Sequence, residues 1–465
     1  MPSRSSKQPS FSWRFILLGT YLAAVFLLGG GARDDIQSLV LLRPLAALVG
    51  GVALLGLTRD AIASHRFLFA MAAALILWFA IQLVPLPPAL WGALPGRELI
   101  VSIDAAIGLD GHWRPLSIDP RSTANALAAL LVPAPVLLLA AHLDERELQA
   151  LVPLVLAIAL ATMLIAVVQI SGNGPYFYRI TNTGAGVGLF ANRNHQAAFL
   201  AAAFPLLAVY AQRKPRPDER DRLRAAAAAA MAVVLIPLIL VTGSRLGLIL
   251  GVLGLAVAAV IWRFAAPPTD RARDKSSSRL ALFLGLSVPL VVAILAVVFS
   301  RAEAVSRLLA DDQTGDLRLK AWGPVWRTGV NYFPVGSGSG SFVTAFKQAE
   351  PDGLVRPTYL NHAHNDLLEV FVTDGLVGLA LLAAAIGWVA LRSHRAWFGS
   401  GPVNPAKVLG RAASAVLGLL ILASVTDYPL RVPSLACFAV LAAIWLSGST
   451  GGQTTKAVDV SGRIG

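Results

Sequence analysis

The fold is decided by residues 225–261, AAAAAAMAVVLIPLILVTGSRLGLILGVLGLAVAAVI, in which two apolar runs are joined by a very short connection. Each run approaches the roughly 20 residues that an α-helix needs to cross about 30 Å of hydrocarbon. Neither run alternates apolar and polar residues as a half-buried strand would, and a helix satisfies its own backbone hydrogen bonds in lipid. The sequence therefore predicts two antiparallel membrane helices joined by the hairpin TGSRLG, residues 242–247.

Apolar runs of this kind recur along the whole chain and predict about twelve transmembrane helices. The 465 residues are 56% hydrophobic and only 14% charged, a composition that excludes an ordinary soluble protein. The predicted spans cover residues 12–31, 36–57, 67–86, 122–143, 149–170, 195–212, 225–241, 244–261, 280–300, 367–391, 412–429 and 432–448. We therefore expect an all-α polytopic membrane protein.

The net charge of +13 is explained by membrane topology. When the N-terminus is placed in the cytoplasm, essentially all of that charge falls in the predicted cytoplasmic tails and loops, as the positive-inside rule requires. No nucleic acid is needed to account for it, and membrane lipids are the expected partners of the inner loops. The single cysteine, Cys437, lies in an apolar run, which excludes a disulfide framework and a cysteine metal site.

The predicted spans divide the chain into four parts. Residues 1–300 carry spans one to nine, with an outer loop at 87–121 that is expected to lie along the membrane interface. Residues 301–365 form a second outer loop with the size and polarity of a small subdomain, and we expect the chemistry there. Residues 366–448 carry spans ten to twelve, and residues 449–465 form a cytoplasmic tail.

Arg43 lies about seven residues inside a predicted span, the second. A lone arginine at that depth costs at least roughly 2.5 kcal/mol on insertion scales unless it is paired or reaches the interface. Two readings remain open. In the first, the span begins near Leu42, so that Arg43 lies at the interface. In the second, Arg43 faces the bundle and either pairs with a carboxylate such as Glu369 or meets the lipid diphosphate from below.

The second outer loop runs into NHAHNDLLE, residues 361–369, where two histidines lie beside two carboxylates. His362 and His364 lie just before the tenth predicted span, and a neutral imidazole can take a proton from a hydroxyl near neutral pH. Asp366 and Glu369 share one face of the following helix with Thr373. Such a face must look into the bundle or a wet cavity instead of lipid.

The same helix continues with two glycines, Gly375 and Gly378, which are expected to let a neighbouring helix approach closely.

Three further outer segments supply cations and amides. They are GLFANRNHQAAFL (188–200), with Asn192, Arg193 and Asn194; the hairpin, with Arg245; and GDLRLKAWGPVW (315–326), with Arg318. Guanidinium groups bind phosphate oxygens bidentately, so these arginines suit an anionic, membrane-borne substrate. No D-x-D pair occurs in an outer loop to hold Mg²⁺ or Mn²⁺, which favours arginine over a metal ion.

Two of these patterns resemble a known family. The segment His364-Asn365, followed after nine residues by Gly375-x-x-Gly378, is similar to the signature of the O-antigen ligases of lipopolysaccharide synthesis. HNDLLE, FANRNH and GSR also resemble landmarks of the wider superfamily of O-antigen ligases and polymerases. The resemblance implies a GT-C-like, metal-independent inverting glycosyltransferase without a cofactor. Its donor would be an undecaprenyl-diphosphate-linked glycan, and its active site would face the periplasm from the bacterial inner membrane.

The resemblance also implies roles for individual residues. His364 matches the essential histidine, and it would deprotonate the acceptor hydroxyl or, if the diphosphate holds it protonated, act as a phosphate ligand. Arg245 and Arg318 match the diphosphate-binding arginines, and Arg193 is a further candidate for that role. The supporting residues are expected to be Asn365, Asn192, Asn194, His362, Asp366 and Glu369.

Three functions remain open at this point. A ligase would attach finished glycan to lipid A-core, whereas a polymerase of O-antigen or exopolysaccharide would extend a growing glycan from the same kind of donor. The sequence favours the ligase. A polysaccharide or lipid transporter is a more distant alternative, since no internal repeat is visible and the polar residues cluster at one predicted surface.

Overall fold

The structure is a computed structural model that describes residues 10–172, 174–212, 218–265, 313–355 and 359–449, with side chains from residue 319 onward in the fourth range. Helices make up most of the described chain. The first ten are α1 (Trp13–Leu28), α2 (Leu39–Leu55), α3 (Arg59–Ser64), α4 (Arg66–Ile81), α5 (Pro88–Gly92), α6 (Glu98–Ala106), α7 (Pro120–Ala129), α8 (Ala134–Ala140), α9 (Glu145–Ile170) and α10 (Arg193–Tyr210). The others are α11 (Glu219–Val241), α12 (Arg245–Ala265), α13 (Gln313–Tyr332), α14 (Phe342–Lys347), α15 (Asp366–Phe398), α16 (Pro405–Ala423) and α17 (Pro433–Gly448).

This is an all-helical membrane protein. Within the described residues, six helical segments are long and apolar enough to cross a bilayer, the continuous segment Pro120–Ala140 formed by α7 and α8 being one of them. Four shorter apolar helices accompany them: α1, α2, α4 and α17. Helices lie at every predicted span except 280–300, which falls outside the described residues. The fourth predicted span is divided at residues 130–133, where Pro133 begins α8.

The α10 helix lies at the centre of the bundle. Every residue from His195 to Val209 is buried, and most of them are alanine, phenylalanine or leucine. Glycines of α12 bring the two helices together: a Cβ at Gly247 would meet the Ala197 side chain at 2.4 Å, and one at Gly254 would meet the Ala201 carbonyl oxygen at 2.5 Å. The earlier residue of α12 contacts the earlier residue of α10, and the later residue contacts the later one. The start of α12 therefore lies level with the first turn of α10.

The first outer loop packs onto the second. The side chain of Arg97 is fully buried and donates to the carbonyl oxygens of Leu116 at 2.8 Å and Gly336 at 3.0 Å. Its guanidinium also lies 5.2 Å from the ring centroid of Tyr332. A short antiparallel pair, Pro85–Leu86 with Arg114–Pro115, closes the base of the loop. We call the end of the bundle where these loops lie the loop end.

α15 is broken at Gly375, where the backbone has φ 56° and ψ −141°. The glycine run 335–341 fills the break: the Ser337 amide donates to the Val372 carbonyl at 2.9 Å, and the Pro334 carbonyl accepts from the Leu376 amide at 2.8 Å. A Cβ at Gly375 would lie 2.2 Å from the Pro334 carbonyl oxygen. The expectation that this glycine admits a neighbouring helix is therefore wrong, because the backbone of the second outer loop takes that space.

The carboxylate of Asp374, beside the break, joins three elements. Its Oδ1 accepts from Trp78 Nε1 at 3.2 Å and Gln82 Nε2 at 3.3 Å on α4, and from the Ser339 hydroxyl of the glycine run. Its Oδ2 accepts from the Thr373 hydroxyl at 2.7 Å. Trp78 and Gln82 can only donate to Oδ1 through these nitrogens, whereas the Thr373 hydroxyl also donates to the Glu369 carbonyl at 2.7 Å. The carboxylate therefore joins α15 to the region of α4 and to the glycine run.

Replacing Asp374 with alanine is therefore expected to destabilise the protein. The change removes Oδ1 and leaves the donors of Trp78, Gln82 and Ser339 without their acceptor, at a cost of about 1–3 kcal/mol. Thermal unfolding of the purified protein in detergent measures the loss, with Asp352→Ala, at an exposed position, as the matched control. Equal melting temperatures for the two variants would show that this carboxylate does not hold the three elements together.

Candidate active site

Asp427 is the centre of a buried polar cluster at the loop end. It lies in the segment between α16 and α17 and is 1% exposed. Its Oδ2 accepts from Asn194 Nδ2 at 2.7 Å, and its Oδ1 accepts from the backbone amide of Tyr428 at 3.0 Å. These two donors by themselves fix the orientation of the carboxylate.

Two histidines approach the same oxygen of Asp427. His364 Nδ1 lies 3.4 Å from Oδ1, and His195 Nε2 lies 3.7 Å from it. Burial by itself would raise the pKa of Asp427, but the close approach of the imidazoles of His195 and His364 outweighs it and holds the pKa well below its usual value. Asp427 is therefore an anion at neutral pH.

The backbone at His364 has φ +49°, in the left-handed region that few side chains other than Gly, Asn and Asp adopt. This conformation lies at the turn between the outer loop and α15. Asn365, and neither histidine, caps the helix, because its Oδ1 accepts from the Leu368 amide at 3.0 Å. The left-handed turn brings the ring of His364 back over Asp427, with only 9% of the residue exposed.

The ring of Tyr428 holds the histidines apart. Its centroid lies 5.2 Å from that of His195, 4.9 Å from that of His364 and 4.3 Å from that of His362. Three imidazoles therefore pack against one aromatic ring. They differ in the carboxylate that they contact, because His195 and His364 approach Asp427 whereas His362 contacts a different carboxylate.

That carboxylate is Glu369, which is 1% exposed. Its Oε1 lies 2.9 Å from His362 Nδ1 and 3.2 Å from the Arg431 guanidinium, and its Oε2 accepts from the Ala363 amide at 2.9 Å. Arg431 also contacts Asp366 at 3.0 Å. Both carboxylates thus face the bundle as predicted, and an arginine from another loop offsets their charge.

A groove of about 580 Å³ opens beside this second cluster. Its polar end includes His362, Arg431 and Asn361. From there one stripe of α15, from Val370 to Ala385, lines the groove over about 22 Å of helix. Facing this stripe are apolar residues of α4, α7 and the segment after it: Met71, Leu75, Phe79, Ala129 and Leu130.

A comparison with known protein families identifies the part of the chain that contributes His364 to this site. Residues 230–383 match the O-antigen ligase family. This match, which covers about a third of the chain, supports the O-antigen ligase superfamily, and we call residues 230–383 the O-antigen ligase domain. No curated protein matches the chain in a sequence search.

The O-antigen ligase domain supplies only part of the cluster. His364, Asn365, Asp366, Glu369 and Arg245 lie within the matched residues, whereas His195, Asn194, Asp427 and Arg431 lie outside them. The carboxylate on which His364 depends is therefore contributed by the segment after the domain, and the second histidine by the helix before it.

Two of the predicted arginines, Arg193 and Arg245, lie at the starts of α10 and α12. Arg245 is the first residue of α12 and is exposed, level with the first turn of α10, which begins at Arg193. Asn192 caps α10 by accepting from the Asn194 amide at 2.9 Å, which gives it a structural role. Arg318 lies on α13, and its side chain is outside the described residues.

The groove side has the opposite electrostatic character. Asp34, Asp119 and Asp374 line the groove together with only two guanidinium groups, those of Arg33 and Arg431. Arg431 already faces the carboxylates of Asp366 and Glu369. The cluster thus separates a cationic side from an acidic side. In the described residues no group of three or more His, Cys, Asp or Glu side chains has the geometry to hold a metal ion.

Arg43 does not reach Glu369. The α2 helix begins at Leu39, so Arg43 lies in its second turn, and its guanidinium donates to Asn125 Oδ1 at 2.6 Å. The predicted pair between Arg43 and Glu369 is therefore wrong, because the Glu369 carboxylate is already paired with His362 and Arg431.

Asp427, Tyr428 and Arg431 were not predicted from the sequence. The predicted eleventh span ran to residue 429 and hid the first two within an apolar segment. In the structure α16 ends at Ala423, so DYPLR, residues 427–431, forms a connecting loop. The feature of the sequence that could have revealed this loop is its run of charged and aromatic residues around a proline, which lies between two apolar runs.

Asp427→Asn is expected to lower glycan transfer by about a hundredfold or more while leaving the amount of protein unchanged. The neutral amide cannot stabilise an imidazolium at His364 and favours the wrong ring tautomer. Transfer measured in membranes with equal amounts of protein tests this, with Asp110→Asn, at an exposed position of the first outer loop, as control. Activity within threefold of the control would remove Asp427 from the active site.

Proposed function

We propose that this protein transfers glycan from an undecaprenyl-diphosphate-linked donor to an acceptor hydroxyl at the periplasmic face of the inner membrane. The observation that carries the proposal is the contact between His364 and the buried Asp427. It adjoins the second cluster, whose His362 and Arg431 line a groove between membrane helices. A base held by a carboxylate near a lipid-sized groove suits a hydroxyl that attacks a membrane-borne substrate.

His364 is the proposed general base. His364 Nδ1 faces Asp427, and Nε2 is the nitrogen proposed to accept the proton of the attacking hydroxyl. The acceptor oxygen forms a bond to the anomeric carbon from the side opposite the leaving group, and the bond to the lipid diphosphate breaks with inversion. Asp427 then stabilises the imidazolium, and lipid diphosphate leaves as the second product.

The diphosphate is proposed to bind on the cationic side. Arg245 and Arg193 lie there at the starts of α12 and α10, and Arg318 is a third candidate. Guanidinium groups can hold both phosphates and stabilise the charge that grows as the glycosidic bond breaks. On this account the reaction needs no metal ion and the fold is GT-C-like.

The groove is proposed to bind the lipid-borne acceptor. Its apolar stripe of about 22 Å suits a hydrocarbon chain. The carboxylates of Asp34 and Asp119, which line the groove, can accept hydrogen bonds from sugar hydroxyls and repel a diphosphate, which favours the acceptor over the donor on this side.

Ligation to lipid A-core is the proposed reaction, and polymerisation of O-antigen or exopolysaccharide repeat units is the alternative. Both use the same donor and differ only in the acceptor. Deletion of the gene, followed by gel analysis of the surface glycans, separates them. Intact core without polymer, together with accumulated lipid-linked polymer, supports the ligase. Core with a single repeat unit, or loss of exopolysaccharide alone, identifies a polymerase.

A further inference from the structure

We propose that His195 is a positioning residue that shares the Asp427 carboxylate with His364 and so keeps His364 in the neutral form that accepts a proton. The inference rests on the proposed function, because it assigns His364 the role of base. It gives a purpose to a histidine outside the O-antigen ligase domain.

The first argument is geometric. His195 and His364 approach the same oxygen of Asp427, at 3.7 Å and 3.4 Å, from two different elements of the fold. His195 is 2% exposed, and neither of its ring nitrogens has a hydrogen-bond partner among the described residues. The charged group that it contacts among the described residues is Asp427. A buried imidazole with unsatisfied nitrogens is expensive to keep, unless the carboxylate contact compensates for it.

The second argument concerns charge. One carboxylate offsets one positive charge, and a second imidazolium on the same oxygen would meet a like charge in a buried site. If His195 alone were absent, the whole of Asp427 would be available to His364, and His364 would hold its proton to higher pH. A base that stays protonated at neutral pH cannot deprotonate the acceptor.

Other charged groups around the cluster do not replace this effect. Asn194 and the Tyr428 amide supply neutral donors to Asp427, and Tyr428 supplies its ring. The remaining titratable or charged groups nearby, on α10, α12, the outer loop, α15 and the DYPLR loop, are Arg193, Arg245, His362, Asp366, Glu369 and Arg431. Of these, His362 and Arg431 are committed to Glu369 and Asp366. The described contacts on Asp427 Oδ1 therefore come from the two histidines and one amide.

The test is a pH titration of the ¹³C-labelled histidines in the full-length protein by NMR in detergent micelles, with the His364 signal assigned by its loss in His364→Asn. His195→Gln keeps a neutral donor, and His195→Phe removes it. Both are expected to raise the titration midpoint of His364, by about one to two pH units for His195→Phe and by less for His195→Gln. His112→Gln, at an exposed position, is the control and should leave the midpoint in place.

Transfer assays provide the second readout, with lipid-linked glycan extracted from a deletion strain as donor. The acid limb of the pH–rate profile should move to higher pH in both His195 variants, and the rate should recover at alkaline pH. A uniform loss at every pH, or an unmoved His364 midpoint in folded His195→Gln, would overturn the inference. If His364→Asn keeps full transfer activity, the proposed function fails instead, whatever the NMR midpoint shows.

Discussion

Replacing His364 with alanine is expected to lower glycan transfer at least about a hundredfold, which is the usual contribution of a positioned general base. The protein should still insert into the membrane and be recovered in normal amount, because the side chain lies at a turn and not in the packed helical core. Transfer measured in membranes with matched protein levels provides the comparison. Activity near that of the wild type would remove His364 from the catalytic account.

The left-handed backbone at His364 calls for a second variant. Alanine at a positive φ adds strain of roughly 1 kcal/mol, whereas asparagine adopts this conformation readily and cannot act as a base. His364→Asn should therefore lose transfer as completely as His364→Ala and keep a wild-type melting temperature. His362→Ala is expected to be milder, since His362 contacts Glu369 and not Asp427. An equal loss in His362→Ala would shift the assignment of the base to the Glu369 cluster.

Arg245→Lys is expected to impair transfer almost as much as Arg245→Ala. A lysine keeps the positive charge but cannot form the two parallel hydrogen bonds that a guanidinium makes with a diphosphate. Loss of a charge-assisted hydrogen bond of about 1.5–3 kcal/mol corresponds to a decrease of roughly 10- to 100-fold. The initial rate of transfer from a purified lipid-linked donor measures it.

Arg263→Lys is the matched control for this prediction, because Arg263 is an exposed arginine in the last turn of the same helix. It should retain full activity. Transfer by the wild type should also persist in EDTA. If Arg245→Lys keeps wild-type rates, or if added divalent metal is strictly required, the arginine account of leaving-group stabilisation is wrong.

The sequence predicts the helices of this protein well because lipid imposes a simple requirement. A run such as residues 225–241 must be helical, and its position can be read to within a few residues, as α11 at Glu219–Val241 illustrates. The helix face with Glu369 and Thr373 was also predictable, because residues four apart on a helix share a face. Both residues are buried in the structure.

The active site was less predictable because its contacts join distant parts of the chain. His364 and Asp427 are separated by more than 60 residues, and His195 lies more than 200 residues before Asp427. No local spacing encodes these contacts. Gly375 was misinterpreted for a related reason: a glycine in an apolar run indicates close packing, but the run does not show whether a helix or a loop backbone takes the space.

The break in α15 restricts the order in which the protein can be assembled. An aspartate near the middle of an inserting helix costs about 2.5–3.5 kcal/mol on translocon scales. Trp78 and Gln82, which donate hydrogen bonds to Asp374, are synthesised some 290 residues earlier. They must already be in the bilayer when α15 inserts. The glycine run that pairs with the open backbone must already have crossed to the loop end. α15 therefore reaches its final form only when an early helix and a translocated loop meet it, so biogenesis of the membrane part depends on a segment outside the hydrocarbon.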